Sequence, residues 1–168
     1  MRLPLSLSHF RYKPQTGFTL IELIMVMVLM GILATVALPH FNFSGFNEVG
    51  FRDKLKATLE FARKSAVAQR RITCVALVGN MLTLTIDNVP TDALGTGTCP
   101  RQLTLPTSDA ACGGPGNAVC APNGVVLVGP AALSFDPLGR PSAAAAYTVT
   151  GGTSDYTINV TAETGYVH

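Results

Sequence analysis

Four cysteines are the first residues able to do chemistry: Cys74, Cys99, Cys112 and Cys120. They suit either two disulfides or a zinc ion. Structural zinc sites draw on cysteine pairs with roughly two to four residues between them, and no two of these cysteines are that close. Disulfides are the default in an oxidising compartment. Four cysteines allow three connectivities, and sequence does not choose among them. The pairing expected here is Cys112–Cys120 across Gly113-Gly114-Pro115-Gly116, with Cys74–Cys99 tying a long loop to the first strand of the head. The same glycine run lacks the Lys-Ser/Thr ending of a phosphate loop. The histidines, His9, His40 and His168, are far apart, and Ser, Asp and Glu are scattered over expected loops. The sequence therefore predicts no catalytic set, no cofactor and no metal. One more residue stands out: Glu22, a carboxylate inside an otherwise apolar run.

The elements that hold these residues differ sharply in composition. The chain has 168 residues, a formal net charge of +2, 48% hydrophobic residues and 13% charged residues. That length suits one domain with an appendage. The low charge and high apolar content exclude an intrinsically disordered chain. The weak net charge excludes a generally basic nucleic-acid binder. Both averages hide their sources. Residues 18–38 hold 17 apolar residues of 21, and the remainder is ordinary for a globular protein. Charge runs +3 over residues 1–17, −2 over 18–51, +5 over 52–71 and −4 over 72–168. The chain reads as a basic leader, an apolar helix, a basic stem and an acidic head.

As a helix, the 21-residue run is about 31 Å long, close to the hydrocarbon thickness of a bilayer. Its apolar residues cover every face, unlike the single stripe of a surface helix. The basic leader places the N-terminus in the cytoplasm and the rest outside. An ordinary secretory signal, cut after Thr35-Val36-Ala37, is the competing reading and would fit a secreted enzyme. Glu22 within the run and Gly17 just before it disfavour that reading.

The string Gly17-Phe18-Thr19-Leu20-Ile21-Glu22 followed by an apolar helix resembles the type III signal of type IV prepilins and pseudopilins. The resemblance implies cleavage between Gly17 and Phe18 by a prepilin peptidase, N-methylation of the new Phe18 amine, and a mature chain of 151 residues with net charge −1. It also implies that Glu22 of an incoming subunit pairs with the Phe18 amine of its filament neighbour. Physics gives Glu22 a reason to seek a partner: a carboxylate at mid-membrane costs about 2.5–3.5 kcal/mol. The alternative is a snorkelling carboxylate with no partner. Gly31 and Pro39 are the helix-weakening residues of the run. In related filaments the segment between such residues can lose helicity, which here means residues 31–39. Pro39 also serves as a simple end to the span.

From about Glu48 to Arg71 the spacing predicts a stem helix, with Phe51, Leu55, Leu59, Ala62 and Ala66 as one apolar stripe for packing on a sheet. Arg52, Lys56, Arg63 and Arg70 share another face. That face is either solvated, or set against an acidic surface on a neighbouring subunit. Phosphate contact with DNA is a weaker third reading. Residues 42–47, with Ser44 and Gly45, offer a bend or a cap before the stem.

Residues 72–168 hold 12 glycines and 8 prolines, a density that suits short strands and turns. Ile72–Val78, Gly79-Asn80 and Met81–Asp87 read as a β-hairpin. Further strands are expected at Gly124–Val128, Ala132–Phe135, Tyr147–Thr150, Tyr156–Thr161 and Tyr166-Val167. Residues 88–123 read as a long irregular loop, either functional or stapled. The turn Phe135-Asp136-Pro137-Leu138-Gly139-Arg140 and the terminal Glu163-Thr164-Gly165-Tyr166-Val167 look like the GspH/FimT group of minor pilins and pseudopilins. The stem, from Gly50-Phe51-Arg52-Asp53 through Ser65–Arg71, also looks like minor pilins of mannose-sensitive haemagglutinin pili. Some DNA-binding members of that group carry a C-terminal Gly-Arg-x-Arg motif. Here Gly165-Tyr166-Val167-His168 lacks its arginines, so DNA is an unlikely partner.

The expected fold is α+β, a long N-terminal helix packed on a small antiparallel β head. The segments are a leader at 1–17, a membrane and assembly helix at 18–39, an amphipathic stem at 40–71 and a periplasmic β-rich head at 72–168. The resemblance implies a structural subunit, a minor pilin or pseudopilin of a type IV pilus or type II secretion system. It would sit in the inner membrane by a single pass, with its N-terminus cytoplasmic, and then join other pilins in a filament. The alternative is a tip-displayed binding module for adhesion, a secretion substrate or DNA uptake, with the 88–123 loop as its binding feature. Sequence does not separate pilus from secretion system.

Overall fold

The computed structural model describes residues 17–37, 44–90, 97–152 and 154–168. The chain divides into two compact units, Met1–Asn42 and Phe43–His168.

In the first unit, α1 runs Leu20–Ala37 with Glu22 in its first turn. Thr19 caps it. Its hydroxyl accepts from the Glu22 amide at 3.4 Å, and its carbonyl accepts from the Glu22 and Leu23 amides at 3.1 and 3.3 Å. The pattern Thr-x-x-Glu is a helix-start signature.

In the second unit, α2 runs Ser44–Gln69. The helix begins earlier than the apolar periodicity suggests, so residues 44–47 form its first turn and not a bend. Phe51, Leu55, Leu59, Ala62 and Ala66 are buried against the head. The helix closes on Arg70, whose φ is 50°. The Arg71 amide reaches the Ala66 carbonyl and the Arg70 amide the Val67 carbonyl, which is the left-handed stop usually built on glycine.

The described residues of the head form eight strands, β1 Thr73–Val78, β2 Met81–Ile86, β3 Arg101–Gln102, β4 Ala118–Cys120, β5 Val126–Val128, β6 Ala132–Phe135, β7 Ala145–Thr150 and β8 Tyr156–Val160. One sheet has the order β3-β2-β1-β6 with β4 also on β2, and the other is β5-β7-β8. All pairings are antiparallel. Tyr166-Val167, expected as a strand, contributes only a bridge from Val167 to Val160.

The 88–123 stretch corrects the sequence reading. It holds β3, β4 and a 3₁₀ turn at Ala110–Cys112. Leu103, Ala118 and Val119 are core residues. β3 and β4 share one edge of β2, and Asn117 fills the join by donating to the Leu84 carbonyl at 2.8 Å. Short strands inside a Gly-, Pro- and Cys-rich run carry no alternation to read. Removing the stretch would therefore destroy the head's sheet as well as any binding loop.

Asn80, read from sequence as a turn residue, joins the two sheets. Its amide donates to the Val125 carbonyl at 3.1 Å and accepts from the Leu127 amide at 3.2 Å. The side chain thus occupies the edge of β5 as a neighbouring strand would, covering backbone groups that a free edge exposes.

Tyr147 lies at the centre of the core, fully buried, with Gly129 so close that a Cβ there would overlap the ring. Its hydroxyl has no hydrogen-bond partner among the described residues, and burial pushes its pKa up from 10.0 to about 12. Tyr147→Phe is expected to stabilise the head by about 1 kcal/mol at neutral pH, because a desolvated, unpaired hydroxyl is removed. Above pH 10 the unfolded chain ionises first, so this group makes wild-type stability fall as pH rises towards 12. The slope is about 1.4 kcal/mol per pH unit. Urea titrations of both proteins from pH 7 to 12 should show the gap widening only above pH 10. A constant gap would show that Tyr147 ionises as freely in the folded head as in water.

Candidate functional site

Two polar contacts between the stem and the head stand out. The first is Asp109, a buried carboxylate that caps the 3₁₀ turn. Its Oδ1 accepts from Lys54 Nζ at 2.9 Å and from the Ala111 amide at 3.2 Å, and its Oδ2 accepts from the Cys120 amide at 2.9 Å. Burial alone would raise its pKa. The Cys120 amide, the Lys54 ammonium and the Ala111 amide outweigh that and hold it below the usual carboxylate value. Disulfides Cys74–Cys99 and Cys112–Cys120 staple the head itself, with Cα–Cα distances of 6.0 and 5.2 Å. The first ties the residues before β3 to β1, and the second links the 3₁₀ turn to β4. Two shallow depressions flank Lys54. One is about 160 Å³ and touches Phe61, Leu105 and Pro106, and the other is about 330 Å³ and touches Phe46, Gly50 and Pro122. Their linings are mostly apolar, and the charged pair beside them is already spent on itself.

The second contact brings together the two head motifs that the sequence reading singled out. Arg63 Nε donates to the Gly139 carbonyl at 3.3 Å. Gly165 packs so closely on that carbonyl that a Cβ would overlap it, and its φ of 63° also requires glycine. The preceding turn is fixed by Asp136 Oδ1, which accepts from the Leu138 and Arg140 amides at 2.9 and 2.8 Å.

The basic face of the stem is neither wholly solvated nor wholly free for a neighbour. At 100° per residue its centre lies about 75° from that of the apolar stripe, so its side chains border the head. Arg52 pairs with Asp53 at 3.0 Å and lies 5.7 Å from the Tyr156 ring centroid. Arg52, Lys56 and Arg63 are half-buried, and Arg70 is exposed.

In the first unit Phe18 is 88% exposed and Glu22 is exposed, one turn apart along the chain. The large side chains from Leu20 to Leu33 are exposed on every face of α1. Gly31 is helical, with nothing within 4 Å of where a Cβ would stand. Pro39 and the leader residues 1–16 lie outside the described residues.

A family model for the prokaryotic N-terminal methylation motif matches residues 12–38. A search of curated proteins finds no match. Among solved structures, the type IV minor pilin FimU of Pseudomonas aeruginosa matches with a TM-score of 0.54 at 14% identity, over 75% of this chain and 90% of that one. The minor pseudopilin EpsH from the Type 2 Secretion System of Vibrio cholerae matches with a TM-score of 0.52 at 10% identity, over 69% and 90%. The fold is that of the pilins and pseudopilins. In this pilin-like chain the residues expected to act in processing and assembly, Gly17, Phe18 and Glu22, lie together at the start of α1, and the four cysteines lie in the head. Sequence reasoning missed Thr19 as the cap of α1, although its spacing to Glu22 was the available signal. It also missed Asp109, which no local pattern marks.

Proposed function

We propose that the chain is a structural, non-enzymatic subunit, a minor pilin or pseudopilin of a type IV pilus or type II secretion system. The observation that carries this is a methylation motif at residues 12–38 joined to a pilin-like head. In this reading a prepilin peptidase cuts after Gly17, and the Phe18 amine is methylated. Residues 18–39 hold the chain in the inner membrane with the head in the periplasm. Glu22 then pairs with the Phe18 ammonium of another pilin during assembly. Among the described residues no helix is long and apolar enough to cross a membrane. The 18 residues of α1 give about 27 Å. The anchoring reading rests on the sequence from Phe18 to Leu38, in which 17 of 21 residues are apolar and Glu22 is the one charge. Disulfides in the head fit an oxidising periplasm.

The test is the mature N-terminus. Mass spectrometry of the chain purified from cells should find methylated Phe18 as residue one. A start at Leu38 would mean an ordinary signal peptide and would overturn the reading.

A further inference from the structure

The head carries only two bases, Arg101 and Arg140, against six acids. The fold brings both to the C-terminal end of α2. Arg101 donates to Gln69 Oε1 at 3.1 Å. Arg140 is exposed and follows Gly139, which rests against Val67 and Arg63. Arg63 lies in the last turns of α2, and Arg70 and Arg71 follow directly after its end. Arg71 bonds to the carbonyls of Asp87 and Asn88, and Arg63 to that of Gly139. Neutral oxygens leave the charge of these guanidinium groups in place. The ion pairs of the described residues, Arg52–Asp53, Lys54–Asp109 and Lys64–Glu60, involve none of Arg63, Arg71, Arg101 or Arg140. An acidic head thus presents a basic end.

That end also has an apolar centre. Val67 is 45%, Leu138 69% and Tyr166 58% exposed, and Tyr166 stacks on His168 at 5.4 Å. The contact of Gly165 with the Gly139 carbonyl sets Tyr166 and Leu138 at the same end as Val67. A centre of tyrosine and aliphatic side chains rimmed by arginine has the make-up of a protein interface. Duplex DNA would gain little from Leu138 and Val67, since phosphate contacts dominate its affinity.

We infer that this face docks the acidic head of a different pilin-like subunit, an inference that rests on the filament reading above. Charge complementarity selects an acidic partner, and a second copy is a poor one among its described residues. Of its described head acids, Asp87 and Asp109 are buried and Asp136 is half-buried, which leaves Asp155 and Glu163 exposed.

The test places a photo-crosslinking amino acid at Leu138 in the full-length chain, in cells that assemble the filament. Sheared filaments are first checked for the chain itself. Its absence would count against the filament reading as a whole. With the chain present, the expected adduct joins Leu138 to an acidic peptide of another chain carrying an N-terminal methylation motif. The pair Arg101→Glu and Arg140→Glu should cut that adduct about ten-fold or more, as reversal of close interfacial charges does. The milder pair Arg101→Gln and Arg140→Gln should cut it less and guards against misfolding. An adduct to the chain's own copy, or none in filaments that contain it, overturns the docking inference. So does arginine-dependent retention of duplex DNA by the detergent-solubilised chain without a protein adduct.

Discussion

Glu22→Leu is expected to leave the chain in the inner membrane and to lower its incorporation into filaments by about 10²–10³-fold. Insertion should not suffer, because leucine removes the one charge in α1 and apolar side chains favour the bilayer. Assembly should suffer because, in the proposed pairing, the neighbouring Phe18 ammonium is left alone in a low-dielectric setting. Breaking one partner of a buried ion pair costs about 3–5 kcal/mol, and each 1.4 kcal/mol is about a factor of ten. Glu22→Gln separates charge from shape. It keeps the length of the side chain and should still fail, though less completely. The ratio of chain in sheared filaments to chain in membranes is the readout. Normal incorporation of the leucine variant would mean that Glu22 has no partner and only snorkels.

Asp109→Ala should have the largest effect on the head itself, a loss of about 3 kcal/mol. Three hydrogen bonds end on this carboxylate, whose side chain is 4% exposed, while the Lys54 side chain is 48% exposed. Removing Asp109 leaves the amides of Ala111 and Cys120 without their acceptor, at roughly 1–3 kcal/mol for each group that stays dry. Removing Lys54 costs less, below about 1 kcal/mol for Lys54→Met, because the ammonium is well hydrated when free and two amides still hold the carboxylate. The pH dependence has a definite sign. Asp109 has a lowered pKa in the folded head, so its contribution is present above the ordinary carboxylate value and is lost as pH falls through the folded value. The gap between wild type and Asp109→Ala in urea unfolding should therefore close below about pH 4. A loss under 1 kcal/mol at pH 7 would show that the 3₁₀ turn is held without Asp109, and a gap that persists in acid would show that Asp109 acts there without its charge.

How legible each part was follows from how local its signal is. The Phe51–Leu55–Leu59–Ala62–Ala66 stripe was readable because burial on one face of a helix repeats every three or four residues. The β1–β2 hairpin was readable because Gly79-Asn80 separates two apolar strands. β4 was not, because three residues between a glycine-rich loop and a proline have no period. Its place depends on pairing with β2, where Val119 meets Leu82 from 37 positions away. The basic face of the stem and its nearness to the apolar stripe follow from spacing, but which head groups its side chains meet required the sheet to be in place.

By itself the sequence carried the signals for the proposed N-terminal apparatus: an expected cleavage point, an apolar run with one carboxylate, and a basic leader. Each of these acts through neighbours only a few residues away, so spacing alone carries it. Only the tertiary structure decided where the scattered charges go. Lys54 meets Asp109 across 55 residues, and Arg63 meets Gly139 across 76. Arg101 and Arg140, too few to alter the head's negative total, are gathered at one end of α2. Net charge is a sum over the chain, whereas a docking surface is set by which charges share a place. That depends on strand order and loop closure, which have no local signature.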